Sequence, residues 1–113
     1  MAIKRLFIAN RGEIAVRILR AAEALGIETV IGISAADKDS LGARMADRAV
    51  VLGPAPSSQS YLNVNLILHA ALATGCDALH PGYGFLSEKP ELSRLCAEHG
   101  ITFVGPRPET IAT

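Results

Sequence analysis

The sequence predicts an α/β domain in which a mainly parallel, five-stranded sheet is doubly wound with helices. Short apolar and β-branched runs alternate with longer segments in which apolar residues recur at helical spacing. The strand candidates are continuous apolar runs, which are typical of parallel strands buried on both faces. Because this alternation extends along all 113 residues, we expect one domain that spans residues 1–113.

The first strand and the first helix are predicted near the amino terminus. Residues 6–9 form a continuous apolar run, and the helix is expected over residues 11–25. Asn10 and Glu13 have the spacing of a capping box, with Asn10 as the N-cap residue. Gly26 stands where a left-handed C-cap residue is wanted. The stripe expected to pack on the sheet consists of Ile14, Ile18, Ala22 and Leu25.

The remaining elements follow in the same alternation. The other strands are predicted at residues 29–33, 49–52, 76–79 and 101–104, and the other helices at 40–45, 63–74 and 90–99. Ser40 is the expected N-cap of the short helix. Gly75 closes the helix before the fourth strand.

Composition and charge exclude several classes of function. Eleven basic residues balance eleven acidic ones, so no net charge favours nucleic acid or an anionic membrane as a partner. No apolar run approaches the roughly 18 to 20 residues that a membrane span needs. Cys76 and Cys96 lie among apolar neighbours and form no Cys-x-x-Cys motif. We therefore expect buried thiols and a cytoplasmic location.

The turn between the first strand and the first helix lacks a nucleotide-binding motif. A dinucleotide-binding turn has three glycines, whereas Gly12 is alone here, and Glu13 places a carboxylate near the expected pyrophosphate position. The chain also contains no Gly-x-x-x-x-Gly-Lys phosphate loop. These residues argue against NAD binding and against P-loop chemistry.

The segment from His80 to Glu88 is the principal candidate for a ligand site. It contains a proline, two glycines, an aromatic residue and a carboxylate, and it follows a predicted strand, whose carboxyl end is where ligands bind in open α/β sheets. Tyr83 is suited to contact a ligand ring, or else plugs the loop. Glu88 contacts a ligand or a neighbouring domain, or else opens the next helix. His80 has the chemistry of an acid or base, but without a titrating partner we favour a hydrogen-bonded structural histidine.

Arg17 and Arg20 are predicted on the face of the first helix opposite the core stripe. One interpretation is a solvated face on which Glu13 pairs with Arg17. The other is a protein–protein contact, because arginines beside apolar and small residues such as Val16 are typical of interfaces. Since no nucleophile–base pair or metal cluster can be assembled from the sequence, we expect one wall of a site that is completed elsewhere.

Several segments together resemble one family. They are residues 8–15 (IANRGEIA), 46–47 (AD), 60–63 (SYLN), 80–88 (HPGYGFLSE) and 103–106 (FVGP). They are similar to the N-terminal domain of biotin carboxylase, the ATP-grasp component of biotin-dependent carboxylases, in the same order along essentially the whole chain.

The resemblance implies a Rossmann-like fold and a role in the ATP-dependent carboxylation of biotin with bicarbonate, through carboxyphosphate. In that family the loop matching residues 80–88 faces the active-site cleft, so we expect His80, Tyr83, Gly84 and Glu88 on the biotin side of the site. The family's first helix contributes to a homodimer interface, which implies that Arg17 and Arg20 are interface residues.

The resemblance also implies what lies outside this chain. The catalytic residues and those that bind ATP and magnesium are expected beyond residue 113, in ATP-grasp and C-terminal domains, so the 113-residue piece alone is expected to be inactive and to bind no cofactor tightly. The implied partners are those two domains, the biotin carboxyl carrier protein, the carboxyltransferase and a second copy in a homodimer.

Two other interpretations remain open at this point. The chain is compatible with a non-catalytic dimerisation or interaction module that uses the first helix. It is also compatible with the leading domain of another ATP-grasp ligase, such as carbamoyl phosphate synthetase or a purine-pathway ligase. The final acceptor is open as well, among acetyl-CoA, propionyl-CoA, another acyl-CoA, pyruvate and urea.

Overall fold

The computed structural model describes residues 3–9, 12–37, 39–53, 64–82 and 90–104. The strands in these residues are β1 (Arg5–Ile8), β2 (Glu28–Ser34), β3 (Arg48–Gly53), β4 (Ala78–His80) and β5 (Thr102–Phe103). The helices are α1 (Gly12–Ala24), α2 (Leu41–Met45), α3 (Val64–Ala73) and α4 (Pro90–Glu98), with a 3-10 turn at Ala35–Asp37. The predicted alternation of strands and helices is confirmed.

The strands form one five-stranded sheet in the order β3-β2-β1-β4-β5. Every described pairing is parallel, which confirms the predicted fold class. The chain leaves β1 towards β2 and β3 on one side, and it returns to β4 and β5 on the other side. The point at which the strand order reverses therefore lies between β1 and β4.

Helices cover both faces of the sheet because successive residues of each strand point to opposite faces. On one face, α3 and α4 pack against the strands through a core that includes Phe7, Val30, Leu52, Ile67, Leu79 and Leu92. On the other face, α1 packs against the strands through a core that includes Leu6, Ile8, Ala15, Leu19, Ile31 and Ala78. The continuous apolar runs that predicted the strands are thus buried on both sides.

The predicted core stripe of α1 is right only in part, because Ala22 is the one residue of its four that is buried. The buried residues of the helix are Ala15, Leu19 and Ala22. Ile14 and Ile18 are only half-buried, and Leu25 is 75% exposed. Because apolar residues occupy more than one side of this helix, their spacing alone does not fix which side faces the sheet.

The start of α1 also differs from the prediction. Asn10, the predicted N-cap residue, lies outside the described residues. Gly12 has a φ of 66°, whereas a capping box led by Asn10 requires a right-handed helical residue at this position. Right-handed geometry therefore begins after Gly12, which as a glycine adopts the left-handed conformation without the cost that a Cβ brings.

The fourth strand begins two residues later than predicted. The amide of Cys76 donates to the carbonyl of Ala71 at 3.0 Å, so it belongs to the end of α3 and not to the strand. The strand also ends one residue later than predicted, because His80 pairs with Ile8 and is thus a strand residue. Every other predicted boundary of these elements lies within one residue of the observed one.

The other predicted helix caps agree better with the structure. The Ser40 hydroxyl accepts a hydrogen bond from the amide of Ala43 at 3.3 Å, which confirms Ser40 as the N-cap of α2. Gly26 and Gly75 have φ values of 72° and 71°, as left-handed residues at helix ends do.

Candidate functional site at the switch point of the sheet

The carboxyl ends of β1 and β4 lie side by side at the reversal of strand order. Ile8 is paired with His80, and the amide of Ala9 donates to the carbonyl of His80 at 3.0 Å. In open α/β sheets the crevice outside these strand ends is where ligands bind. The first residues of the predicted loop therefore lie at the edge of the sheet where a site is expected.

The imidazole of His80 is bonded to the chain that follows it. Its Nδ1 accepts a hydrogen bond from the amide of Gly82 at 3.0 Å, so the neutral ring carries its proton on Nε2. Burial lowers the pKa of His80, because desolvation disfavours the imidazolium form. His80 is thus hydrogen-bonded, as we favoured from the sequence, and its contact with a substrate stays a prediction.

The two residues after β4 are buried. Pro81 is among the fully buried side chains, and Gly82 has a φ of 71°, in the left-handed region that favours glycine. Tyr83, Gly84 and Glu88 lie outside the described residues. The structure therefore positions the start of the predicted loop.

The two candidate interface arginines line different concavities beside α1. Arg17 pairs with Glu13 at 3.1 Å, as the i,i+4 spacing predicted. Both side chains are exposed, so the pair contributes only about 0.3–0.5 kcal/mol. Arg20 lines a depression of about 380 Å³ on the side of α2, with Val16, Leu41 and Gly42.

Arg17 borders a second, larger concavity, which we call the α1 groove. It has a volume of about 540 Å³ and lies between α1 and the side of the sheet that carries β4 and β5. Its lining includes Leu6, Ile14, Ile18, Leu25, His80 and Val104. One wall of the groove is therefore the stripe of α1 that we expected in the core, and His80 connects the groove to the candidate site.

A cluster of polar side chains lies at the amino ends of the strands, opposite the candidate site. The carboxylate of Asp77 accepts hydrogen bonds from the amides of Lys4 and Arg5, each at 3.0 Å. The guanidinium of Arg5 contacts Glu28 at 3.0 Å and the carbonyl of Thr74 at 2.6 Å. These bonds join the amino ends of β1, β2 and β4, and we assign them a structural role.

The described residues contain no group of three or more His, Cys, Asp or Glu side chains arranged to hold a metal ion. Cys76 and Cys96 are free and buried, as predicted. Burial raises the pKa of both thiols, that of Cys96 to about 11, so they are protonated and unreactive at neutral pH. Within the same described ranges, no helix has the length and apolar character needed to cross a membrane.

Comparison with known proteins decides the family. Residues 2–111 match the family described as the N-terminal domain of biotin carboxylase. The chain belongs to this family. Biotin carboxylase 1 of Bacillus subtilis (strain 168) is 57% identical over 110 residues, which are 97% of this chain and 24% of the relative. The mitochondrial α subunit of methylcrotonoyl-CoA carboxylase from Oryza sativa subsp. japonica is 53% identical over 97% of this chain and 15% of its own length.

Solved structures agree with this biotin carboxylase assignment. The biotin carboxylase domain of the Hydrogenobacter thermophilus 2-oxoglutarate carboxylase was solved as a dimer with MgADP, ADP and bicarbonate. It superposes with a TM-score of 0.94 at 44% identity, covering 99% of this chain and 24% of that one. The Kluyveromyces lactis urea carboxylase gives a TM-score of 0.95 at 42% identity, covering 97% and 10%. The chain thus spans about a quarter or less of these relatives.

The α1 groove is the feature of this biotin carboxylase N-terminal domain that sequence reasoning missed. The signal was present in the apolar residues on two sides of α1, but we assigned one of those sides to the core. The groove lies on the side of α1 towards β4 and β5, where His80 and Val104 belong to its lining.

Proposed function

We propose that this chain is the N-terminal part of an ATP-dependent biotin carboxylase, a ligase that carboxylates biotin on its carrier protein with bicarbonate through carboxyphosphate. The observation that carries the proposal is the family match over residues 2–111. The position of His80, Pro81 and Gly82 at the switch point supports it, because the segment they begin is the one expected to face the biotin.

In this proposal the chain supplies one wall of the site. Tyr83, Gly84, Glu88 and His80 are the proposed residues on the biotin side, and His80 is the last residue of β4. Catalysis and the binding of ATP and magnesium belong to ATP-grasp and C-terminal domains beyond residue 113. Two facts support this division: the chain spans 24% of the Bacillus subtilis relative, and a 44% identical domain was solved with MgADP and bicarbonate.

The proposed partners are the biotin carboxyl carrier protein, the carboxyltransferase and a second copy of the full-length protein. The dimer of the 2-oxoglutarate carboxylase domain supports a homodimer, and the exposed Arg17 and Arg20 are its proposed interface residues. The relatives are named for methylcrotonoyl-CoA, 2-oxoglutarate, urea and pyruvate, so this domain is common to enzymes with different acceptors.

The cytoplasmic location stays a prediction. The buried, free Cys76 and Cys96 fit a reducing compartment. Relatives from rice and poplar are mitochondrial and chloroplastic, so the family occurs in more than one compartment.

ATP turnover that depends on bicarbonate and is stimulated by free biotin tests the proposal. We expect it from the full-length protein and not from the 113-residue chain, because the proposed nucleotide-binding residues lie outside this chain. Absence of biotin-stimulated turnover in the folded full-length protein would refute the proposed activity. Turnover by the 113-residue chain would refute the proposed division of labour.

A further inference from the structure

We propose that His80 is a positioning residue of the biotin site, and that its imidazole fixes the backbone of Gly82 where the chain leaves β4. The inference rests on the proposed function for its kinetic consequence. The hydrogen bond between His80 and Gly82 is observed directly and does not depend on that function.

The backbone of His80 is held by the sheet. The carbonyl of His80 accepts from the amide of Ala9 at 3.0 Å, and its Cα pairs with that of Ile8. The side chain then reaches forward along its own chain, and Nδ1 accepts from the amide of Gly82 at 3.0 Å. This is the histidine counterpart of an Asx turn, in which an Asn or Asp oxygen accepts from the amide two residues on.

The bond satisfies the first amide N–H after the strand. Pro81 has none, so the amide of Gly82 is the first donor that the turn must pair. Gly82 is buried, and a buried donor without a partner costs free energy. The left-handed φ of Gly82 also makes its conformation depend on local constraints, because glycine alone does not restrict it.

The ring of His80 also borders the α1 groove. His80 lines the α1 groove together with Ile18 and with Arg17, the charged residue of that lining. Burial lowers the pKa of His80, which keeps Nδ1 unprotonated and able to accept. Tyr83 follows Gly82 directly in the sequence, so the position of the Gly82 backbone limits where the chain can continue.

Three substitutions in the full-length protein separate positioning from substrate contact. His80→Asn keeps an acceptor near the position of Nδ1, His80→Gln places its amide near the position of Nε2, and His80→Ala removes both. We expect His80→Asn to keep the KM for free biotin within about twofold of wild type. We expect His80→Gln and His80→Ala to raise it on the order of fivefold, with the KM for ATP unchanged.

The reverse order would overturn the proposal. If the KM for biotin is unchanged in His80→Gln and raised in His80→Asn, Nε2 contacts the substrate and His80 is a binding residue. If His80→Asn and His80→Gln raise the KM for biotin equally, the position of the acceptor does not matter and the proposal is also wrong. The Asn and Gln pair decides the matter even where His80→Ala fails to fold.

A second readout does not depend on activity. Labelling the full-length protein with ¹³C-carbonyl proline and ¹⁵N-glycine restricts the signals to glycines that follow proline, and Gly82 is the only such glycine in these 113 residues. Its signal is assigned by its loss in Pro81→Ala. We expect hydrogen exchange of this amide to accelerate on the order of fivefold to tenfold in His80→Gln, and to stay near wild type in His80→Asn.

The two readouts also separate this proposal from the proposed function. Unchanged exchange in His80→Gln and His80→Ala would overturn the positioning role whatever the enzyme does. Faster exchange in His80→Gln, combined with no biotin-stimulated turnover by the wild-type protein, would support the positioning of Gly82 and refute the biotin carboxylase activity.

Discussion

Single carboxylates hold the amino ends of strands in this domain. Asp77 accepts hydrogen bonds from the amides of Lys4 and Arg5, and Asp47 accepts from the amide of Thr29 at 2.8 Å. Desolvation alone would raise the pKa of Asp77, but hydrogen bonds from the backbone amides of Arg5, Lys4 and Asp77 itself, together with the charge of Lys4, outweigh it and lower the pKa below the ordinary value of 3.8. Asp77 therefore stabilises the folded chain most when it is ionised.

Replacing Asp77 tests this contribution through its pH dependence. We expect Asp77→Asn to lower the free energy of unfolding of the 113-residue chain by about 1 kcal/mol at pH 7, since the group is partly solvated and its bonds are screened. The folded pKa is lowered, so the contribution of Asp77 is present above pH 3.8 and is lost as the pH falls through the folded pKa.

Urea unfolding of wild type and Asp77→Asn at pH 7 and near pH 3 measures the effect. The difference between the two proteins should shrink at the lower pH. A difference that is the same at both values would show that Asp77 acts through packing and not through its charge.

Some residue roles could be predicted from the sequence and others could not. The hydrogen-bonded character of His80, the N-cap role of Ser40 and the burial of the thiols follow from local chemistry. The hydrogen-bond partner of His80, the amide of Gly82, could not be predicted, because we placed His80 in a loop and not at the end of β4. The spacing of Asn10 and Glu13 predicted a capping box, which requires right-handed helical geometry at Gly12. Gly12 instead takes a left-handed conformation, which the spacing does not encode.

At the scale of elements, the helical spacing of apolar residues predicted the buried side of α1 only in part. Its apolar residues occupy two sides, and tertiary packing chose between them. Helix α2 packs at Gly42, where a Cβ would lie 3.1 Å from Ile31 of β2 and at ordinary contact distance, 3.7 Å, from Leu19 of α1. The side of α1 that carries Leu19 is buried among strand residues, whereas the side that carries Leu25 lines the α1 groove.

The same substitution at two positions of this region tests the observed register. Leu19 is 2% exposed and Leu25 is 75% exposed. We expect Leu19→Ala to lower the free energy of unfolding of the 113-residue chain by about 2–5 kcal/mol, because it leaves a cavity. Leu25→Ala should change it by less than about 0.5 kcal/mol. Urea denaturation of both variants measures the difference. A larger loss in Leu25→Ala than in Leu19→Ala would favour the stripe that we first predicted, and equal losses would contradict the observed packing.

At the scale of the whole molecule, the alternation of elements predicted the fold class but not the strand order. Alternation requires only that parallel strands be joined by helices, and several orders satisfy it. The order places the carboxyl end of β4 beside that of β1, and it exposes the groove beside α1. The family was predicted from specific strings such as HPGYGFLSE, whereas the geometry around His80 required the structure.

The central claim is that the chain leaving β4 at the switch point forms the biotin side of the site. Its most direct test is the ratio of two Michaelis constants in full-length Tyr83→Ala, with Tyr83→Phe as the control that keeps the ring. We predict that Tyr83→Ala raises the KM for free biotin about tenfold through the loss of an aromatic contact, and leaves that for ATP within about twofold. Equal increases in both constants would contradict the claim and would show that Tyr83 only maintains the fold.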